Sequence, residues 1–198
     1  EGAPEGRPGA RHAFEPVCGD TAWRDTLYLA FEPANDESTF YGYSGELLVY
    51  AQPGDTLGTF WSMEHGAPNN GGLVMQFGPD ETFPQPQPWG AVGIGSVVYD
   101  RTPSSARFRF LYGMPRTGLR PVTAGTRYVI GRLILGAKRS GLTGCDRPVC
   151  IEWHSAAMSY DRARTVSITH GGSRWLQRGA ATDCGERIPA WRPRAVPQ

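Results

Sequence analysis

Residues able to do chemistry are few in this chain, and they are scattered. Glu152 and His154 lie two apart in residues 151–158, a run that alternates between apolar and polar. On a strand that spacing puts both side chains on one face, which a carboxylate–imidazole pair needs for acid–base work. The same placement is far commoner as a hydrogen-bonded surface pair. Gly42-Tyr43-Ser44-Gly45-Glu46 offers a serine, but Glu46 stands where a nucleophile elbow needs its second glycine, and no helical pattern follows. No catalytic residue is assigned, and the chain reads as a non-enzyme. Hard oxygens cluster in turns at Asn35-Asp36-Glu37 and Asp80-Glu81. Neither has the ligand spacing of a calcium loop, so solvated turns are expected, with no metal and no cofactor.

The four cysteines are Cys18, Cys145, Cys150 and Cys184. Zinc would require a Cys-x-x-Cys pair with a second pair at matching spacing, which is absent. His12, His65, His154 and His170 do not adjoin a cysteine. An even count without metal spacing points to disulfides and an oxidising, extracytoplasmic location, secreted, cell-surface or periplasmic. Three pairings are possible, and the favoured one is Cys145–Cys150 with Cys18–Cys184. The first would be a local clip whose small loop limits its stabilisation to the low end of ~2–4 kcal/mol. The second would be a long-range staple.

Binding through flat apolar surfaces is the remaining chemistry. Trp61, Trp89, Tyr41, Tyr43, Phe83 and Trp191 are the candidate platforms for a polysaccharide. Trp89 leads, because a loop holding Pro79, Pro84, Pro86 and Pro88 is expected to leave it exposed. The bland alternative makes Trp61 and Trp153 core and packs Trp89 under its own loop. Arg107 and Arg109 share a face of an alternating run, with Arg162 and Arg164 elsewhere. They would suit an acidic partner, though scattered solvated arginines are the commoner outcome.

Composition bounds what can hold these residues. A chain of 198 residues is one large domain or two small ones, able to bury roughly 70% of its unfolded surface. The net charge of +1 supplies no field for nucleic acid or an anionic membrane. No apolar run approaches the ~18 residues of a spanning helix. Lys138 is the only lysine, and arginine supplies the other positive charges. A chain opening on Glu1 rather than Met is expected to have lost a secretion signal or to have been trimmed.

The elements follow from short apolar runs between Gly- and Pro-rich turns. Residues 1–13 and 188–198 form two polar, Gly/Pro-rich arms. They flank one domain, 14–187. Strands are expected at 22–31, 40–50, 56–64, 73–77, 91–99, 106–112, 128–135 and 151–158, then at 165–169 and 174–176. Residues 33–39 read as a polar turn. Gln52-Pro53-Gly54-Asp55 suits a type II turn with Gly54 at positive φ, making 46–64 a hairpin. Runs 128–135 and 151–158 read as paired core strands. Ten short strands without a convincing helix predict an all-β, two-sheet antiparallel sandwich of jelly-roll type.

Three segments together carry a resemblance: Glu46-Leu47-Leu48-Val49-Tyr50-Ala51-Gln52-Pro53-Gly54-Asp55-Thr56, Gly72-Leu73-Val74-Met75-Gln76-Phe77, and Thr123-Ala124-Gly125-Thr126 before a long apolar strand. They resemble the cohesin-like and related carbohydrate-binding sandwiches of secreted bacterial proteins, over about residues 46–160. The two cysteines near 145–150 depart from typical cohesins. The resemblance implies a jelly roll used for protein–protein docking without catalysis. The expected role is a structural or accessory subunit that meets protein partners or neighbouring subunits through its arms and sheet edge. A carbohydrate-binding module is the alternative.

Overall fold

The computed structural model describes residues 20–83, 85–89, 92–161 and 164–176. Cys18, Cys184, Trp191, Arg162 and both arms lie outside the described residues. The strands are β1 Arg24–Phe31, β2 Glu37–Phe40, β3 Gly42–Ala51, β4 Leu73–Phe77, β5 Ile94–Arg101, β6 Ser105–Gly113, β7 Arg120–Val122, β8 Tyr128–Gly136, β9 Val149–Asp161 and β10 Arg164–Leu176. They form a three-stranded sheet ordered β1-β8-β4, a five-stranded sheet ordered β10-β9-β3-β6-β5, and the small pair β2-β7. Every pairing is antiparallel. The all-β class expected from the sequence is what the chain adopts.

Alternation places the core. On β6, Ala106, Phe108, Phe110 and Tyr112 are buried, while Arg107, Arg109 and Leu111 point the other way. Their inward face meets Leu29 and Phe31 of β1 and Ile130, Leu133 and Leu135 of β8 in one cluster. The filling is aromatic. Tyr43 lies 5.8 Å from Phe110, 5.9 Å from Trp89 and 6.0 Å from Phe77, measured between ring centres. Its hydroxyl donates to the Ile130 carbonyl of the opposite sheet at 2.6 Å. A phenol so placed gains from burial without stranding its polar end.

Several local expectations are corrected. The turn at 52–55 forms as read, with Asp55 N–H donating to Gln52 O at 2.9 Å and Gly54 at φ +89°. The hairpin 46–64 does not, because β3 pairs on its two sides with β6 and β9. After the turn the chain makes a 3-10 turn at Thr59–Trp61 that drops Phe60 and Trp61 into the core. Gly58 permits this path: a Cβ there would sit 2.1 Å from Thr143 O. Residues 37–39, read as part of a turn, form β2 together with Phe40 and pair with β7 instead. Strands β8 and β9, read as a pair, belong to different sheets, so the connection between them crosses the sandwich.

Burial holds the inward tyrosines in the neutral form. It pushes the Tyr43 phenol well above its ordinary value, with Tyr112 adding a smaller push. Tyr99 and Tyr112 move up for the same first reason. Tyr50 rises to about 12, through burial and then the negative charges of Glu152 and Glu46. Because the folded values exceed the unfolded ones, this stability is complete below pH ~10 and is lost as pH rises through the folded values. On alkaline titration, phenolate absorbance from these tyrosines should therefore appear in one step with the loss of strand circular dichroism. Tyr43→Phe, which leaves the Ile130 carbonyl without its donor, should cost about 1–2 kcal/mol in denaturant unfolding.

Candidate functional site

Glu152 and His154 do meet, with Oε1 and Nδ1 3.3 Å apart. Glu152 is nearly buried and His154 is partly exposed. A bulge sets the pair. The β3–β9 register slips between Glu46 and Leu47, which face Ser155 and Trp153, so His154 is the extra residue. Ser44 stands opposite Ala157, three positions further along β9 than His154. Serine and imidazole are thus not assembled as nucleophile and base. Among the described residues, no three His, Cys, Asp or Glu side chains gather as a cation site.

The expected aromatic platform is turned inward. Trp89, expected to stand exposed, is 8% exposed and sits 4.9 Å from Tyr112 in an edge-on contact. Tyr43 and Trp61 are core residues, Phe83 is buried, and Tyr41 is half-buried. The loop 78–89 carries Phe83 onto the outer side of the three-stranded sheet beside Tyr28 and Arg132, and delivers Trp89 into the core against Phe40, Tyr43 and Tyr112. Arg132 of β8 organises it, donating to Gln76 Oε1 at 2.8 Å, Thr82 Oγ1 at 2.7 Å and Asp80 Oδ2 at 3.0 Å. Its guanidinium also lies 4.7 Å over the Phe83 ring. The Thr82 hydroxyl and N–H, and more weakly Arg132, hold the Asp80 carboxyl below its usual range. The loop backbone is tied in where Val129 N–H donates to Pro86 O at 3.1 Å.

The exposed chemistry lies on the opposite side of the molecule. The outer face of the five-stranded sheet carries a shallow groove of about 610 Å³. Its floor is small and hydroxylated, with Ser44, Ser96, Ser155 and Ser167, and Glu46 and Arg109 face each other across it. Arg107 and Arg109 present no free positive patch. Asp100 accepts from both at 2.9 and 3.0 Å, and the Arg107 hydrogen bond is the main cause holding its carboxyl low.

One border of this face is apolar. The exposed large hydrophobic side chains are Val92 at 78%, Ile94 at 82%, Leu111 at 52%, Val98 at 47% and, on the other sheet, Tyr28. The first four surround β5, the last strand of its sheet. Backbone geometry identifies the groups left open there among the described residues. Thr102 N–H donates to Ser105 O at 2.8 Å across the β5–β6 turn. By alternation the backbone groups of Ile94, Ser96, Val98 and Asp100 bond to β6, and those of Gly95, Val97, Tyr99 and Arg101 point away. A strand end with open donors and acceptors beside exposed aliphatic side chains can accept another extended chain.

Sequence reasoning named a sheet edge without saying which. The signal was present in the spacing Ile94, Ser96, Val98: a strand whose outward row begins apolar, small, apolar, with no charge before Asp100. Cys145 lies in the main core, whereas Cys150 lies with Leu48 and Tyr50 in a separate cluster on the other face of the sheet. Replacing Arg132 with Ala should speed amide exchange across 78–89 and shift tryptophan emission to the red, with exchange in β3 and β9 unchanged. No family model, curated protein or solved structure matches the chain.

Proposed function

We propose that this chain is a non-catalytic docking module, a structural or accessory subunit that acts outside the cytoplasm. The observation that carries the reading is the open edge of β5, bordered by Val92, Ile94, Val98 and Leu111. Soluble proteins normally blunt such an edge with lysine, proline or a bulge. The β5–β6 register runs from Ile94 to Arg101 without a shift, and this strand contains no lysine or proline. Added strands gain main-chain hydrogen bonds and side-chain contacts together. The arms 1–13 and 188–198 are further contact elements in this proposal. Polysaccharide binding is the weaker reading, since the groove offers serines, Glu46 and Arg109, and the aromatic residue of its described lining, Phe110, is buried in the core.

The compartment rests on the sulfurs. We infer that Cys145 and Cys150 are held in disulfides, which supports an oxidising location. We infer that they are not bonded to each other, contrary to the pairing favoured on sequence grounds. Sulfurs joined by a ~2 Å bond would share their packing neighbours, and these two belong to separate clusters on opposite faces. Each would then pair with Cys18 or Cys184. Peptide mapping of the unreduced protein should recover only bridges that join residue 145 or 150 to residue 18 or 184. A peptide closed between 145 and 150 would overturn this pairing.

The docking reading is tested with immobilised protein on an array of extended peptides of strand length. Val97→Pro removes an N–H that points away from β6, so the fold should tolerate it. Capture by the wild type and its loss in Val97→Pro is the expected result. No capture, or capture indifferent to Val97→Pro, would overturn the reading.

A further inference from the structure

We propose that β5 pairs antiparallel with β5 of a second copy of this chain, about a two-fold axis through Ser96. The pairing joins two five-stranded sheets into one continuous sheet of twice the width, and it rests on the docking reading above.

The case for a second copy lies in the symmetry of the edge about Ser96. The outward row reads Ile94, Ser96, Val98: apolar, small, apolar. The open backbone groups nearest the centre belong to Gly95 and Val97, one residue on each side. A two-fold axis at Ser96 sets Gly95 of one copy opposite Val97 of the other, twice, in hydrogen-bonded pairs. It sets Ile94 opposite Val98, also twice, in non-hydrogen-bonded pairs, where side chains approach most closely. Ser96 then faces its own counterpart, a contact that only a small residue allows. Moving the axis to Val97 sets Ile94 against Asp100 and loses both aliphatic pairs. An isologous contact needs a self-complementary patch, and only the Ser96 register makes this strand one.

The charged groups fit the same arrangement. Asp100 is engaged by Arg107 and Arg109. Arg101 turns inward to Ser62 Oγ at 2.8 Å and to the carbonyls of Leu57 and Gly58. Neither charge repels a strand laid along the central part of β5. The two edges of the three-stranded sheet are less suited. β4 has only five residues, and β1 starts with Arg24 and Asp25 and shifts register between Leu29 and Ala30.

A strand-to-strand contact is small, of the class that forms weak or transient complexes, so the dimer must depend on concentration. Sedimentation velocity of the full chain, disulfides intact, from micromolar to near-millimolar should show a monomer–dimer equilibrium. Ile94→Lys should weaken it about tenfold or more, since both aliphatic pairs are lost and two cations enter the seam. Ile94→Lys combined with Val98→Glu sets opposite charges against each other twice and should restore it. Under oxidation Ser96→Cys should give a covalent dimer on a non-reducing gel, while Ser44→Cys on β3 should not.

A chain that stays monomeric throughout, while still capturing peptides in a Val97→Pro-sensitive way, would overturn self-pairing and leave the docking reading intact. Loss of both would overturn both. A dimer indifferent to Ile94→Lys, or one that the double variant fails to restore, would overturn the register.

Discussion

The sandwich depends on one requirement: the tyrosines between its sheets must be buried without stranding their hydroxyls, whereas the indole N–H groups of Trp61 and Trp89 find no partner among the described residues. Tyr43 meets that requirement by crossing the interior to the Ile130 carbonyl. Tyr112 accepts from Gly93 N–H at 2.6 Å, and Tyr99 donates to Trp61 O. Each phenol ties a five-stranded-sheet residue to a segment outside its own ladder. An all-aliphatic core would resist separation of the sheets by area alone. Here the separation would also break directional bonds in a dry interior, where unmade bonds cost most. Sheet spacing and relative placement are fixed by the same few atoms.

That fixed interior explains why the connections take the paths they do. Residues 55–64 are not free to return as a hairpin arm, because Phe60 and Trp61 fill the end of the cavity left by the tyrosines. Asn69, fully buried, closes the same end. Its Nδ2 donates to Phe60 O at 2.6 Å and Gly136 O at 3.0 Å, and its Oδ1 accepts from Lys138 N–H at 2.8 Å. One amide thereby joins the 3-10 turn, the end of β8 and the crossing connection. At the other end Trp89 enters between the sheets, and the rest of its loop is held from outside by Arg132.

Much of the fold was legible because strands announce themselves by alternation, and β6 alternates without fault. β4 was placed at its observed bounds because Gly72 and Gly78 punctuate an apolar run. Partnerships were not legible. β8 and β9 are both apolar and neighbours in sequence, and nothing in either shows that they lie in different sheets. Trp89 was misplaced because prolines argue against regular structure, and this was extended to exposure. A loop can instead be buried when its backbone groups are satisfied, as they are here through Gln87, which donates to Asp80 O and accepts from Asp80 N–H. The role of Asn69 was not legible, since sequence shows the residue type but not the three backbone groups converging on it. The β5 edge was half legible: its outward row is visible in the sequence, but its position at the end of a sheet is not.

The contrast between the two outer faces bears on what the molecule is for. The three-stranded sheet has its outward arginine capped by loop 78–89, with an aromatic ring and three polar groups engaged on it. The five-stranded sheet leaves its middle paved with serines and, among the described residues, its last strand uncovered. Covering an edge takes only one lysine, one proline or one bulge, so an open one is not forced by the fold. The chain has seventeen prolines, and none falls in β5. A bulge occurs in β1 and another in β9, yet β5 runs straight. Exposed aliphatic side chains there add nothing to the interior and raise the hazard of non-specific association. In the docking proposal, an edge kept straight, with exposed aliphatic side chains at Ile94 and Val98 and its two charges engaged within the same chain, serves as the contact surface, and its hydrogen-bonding pattern suits another strand.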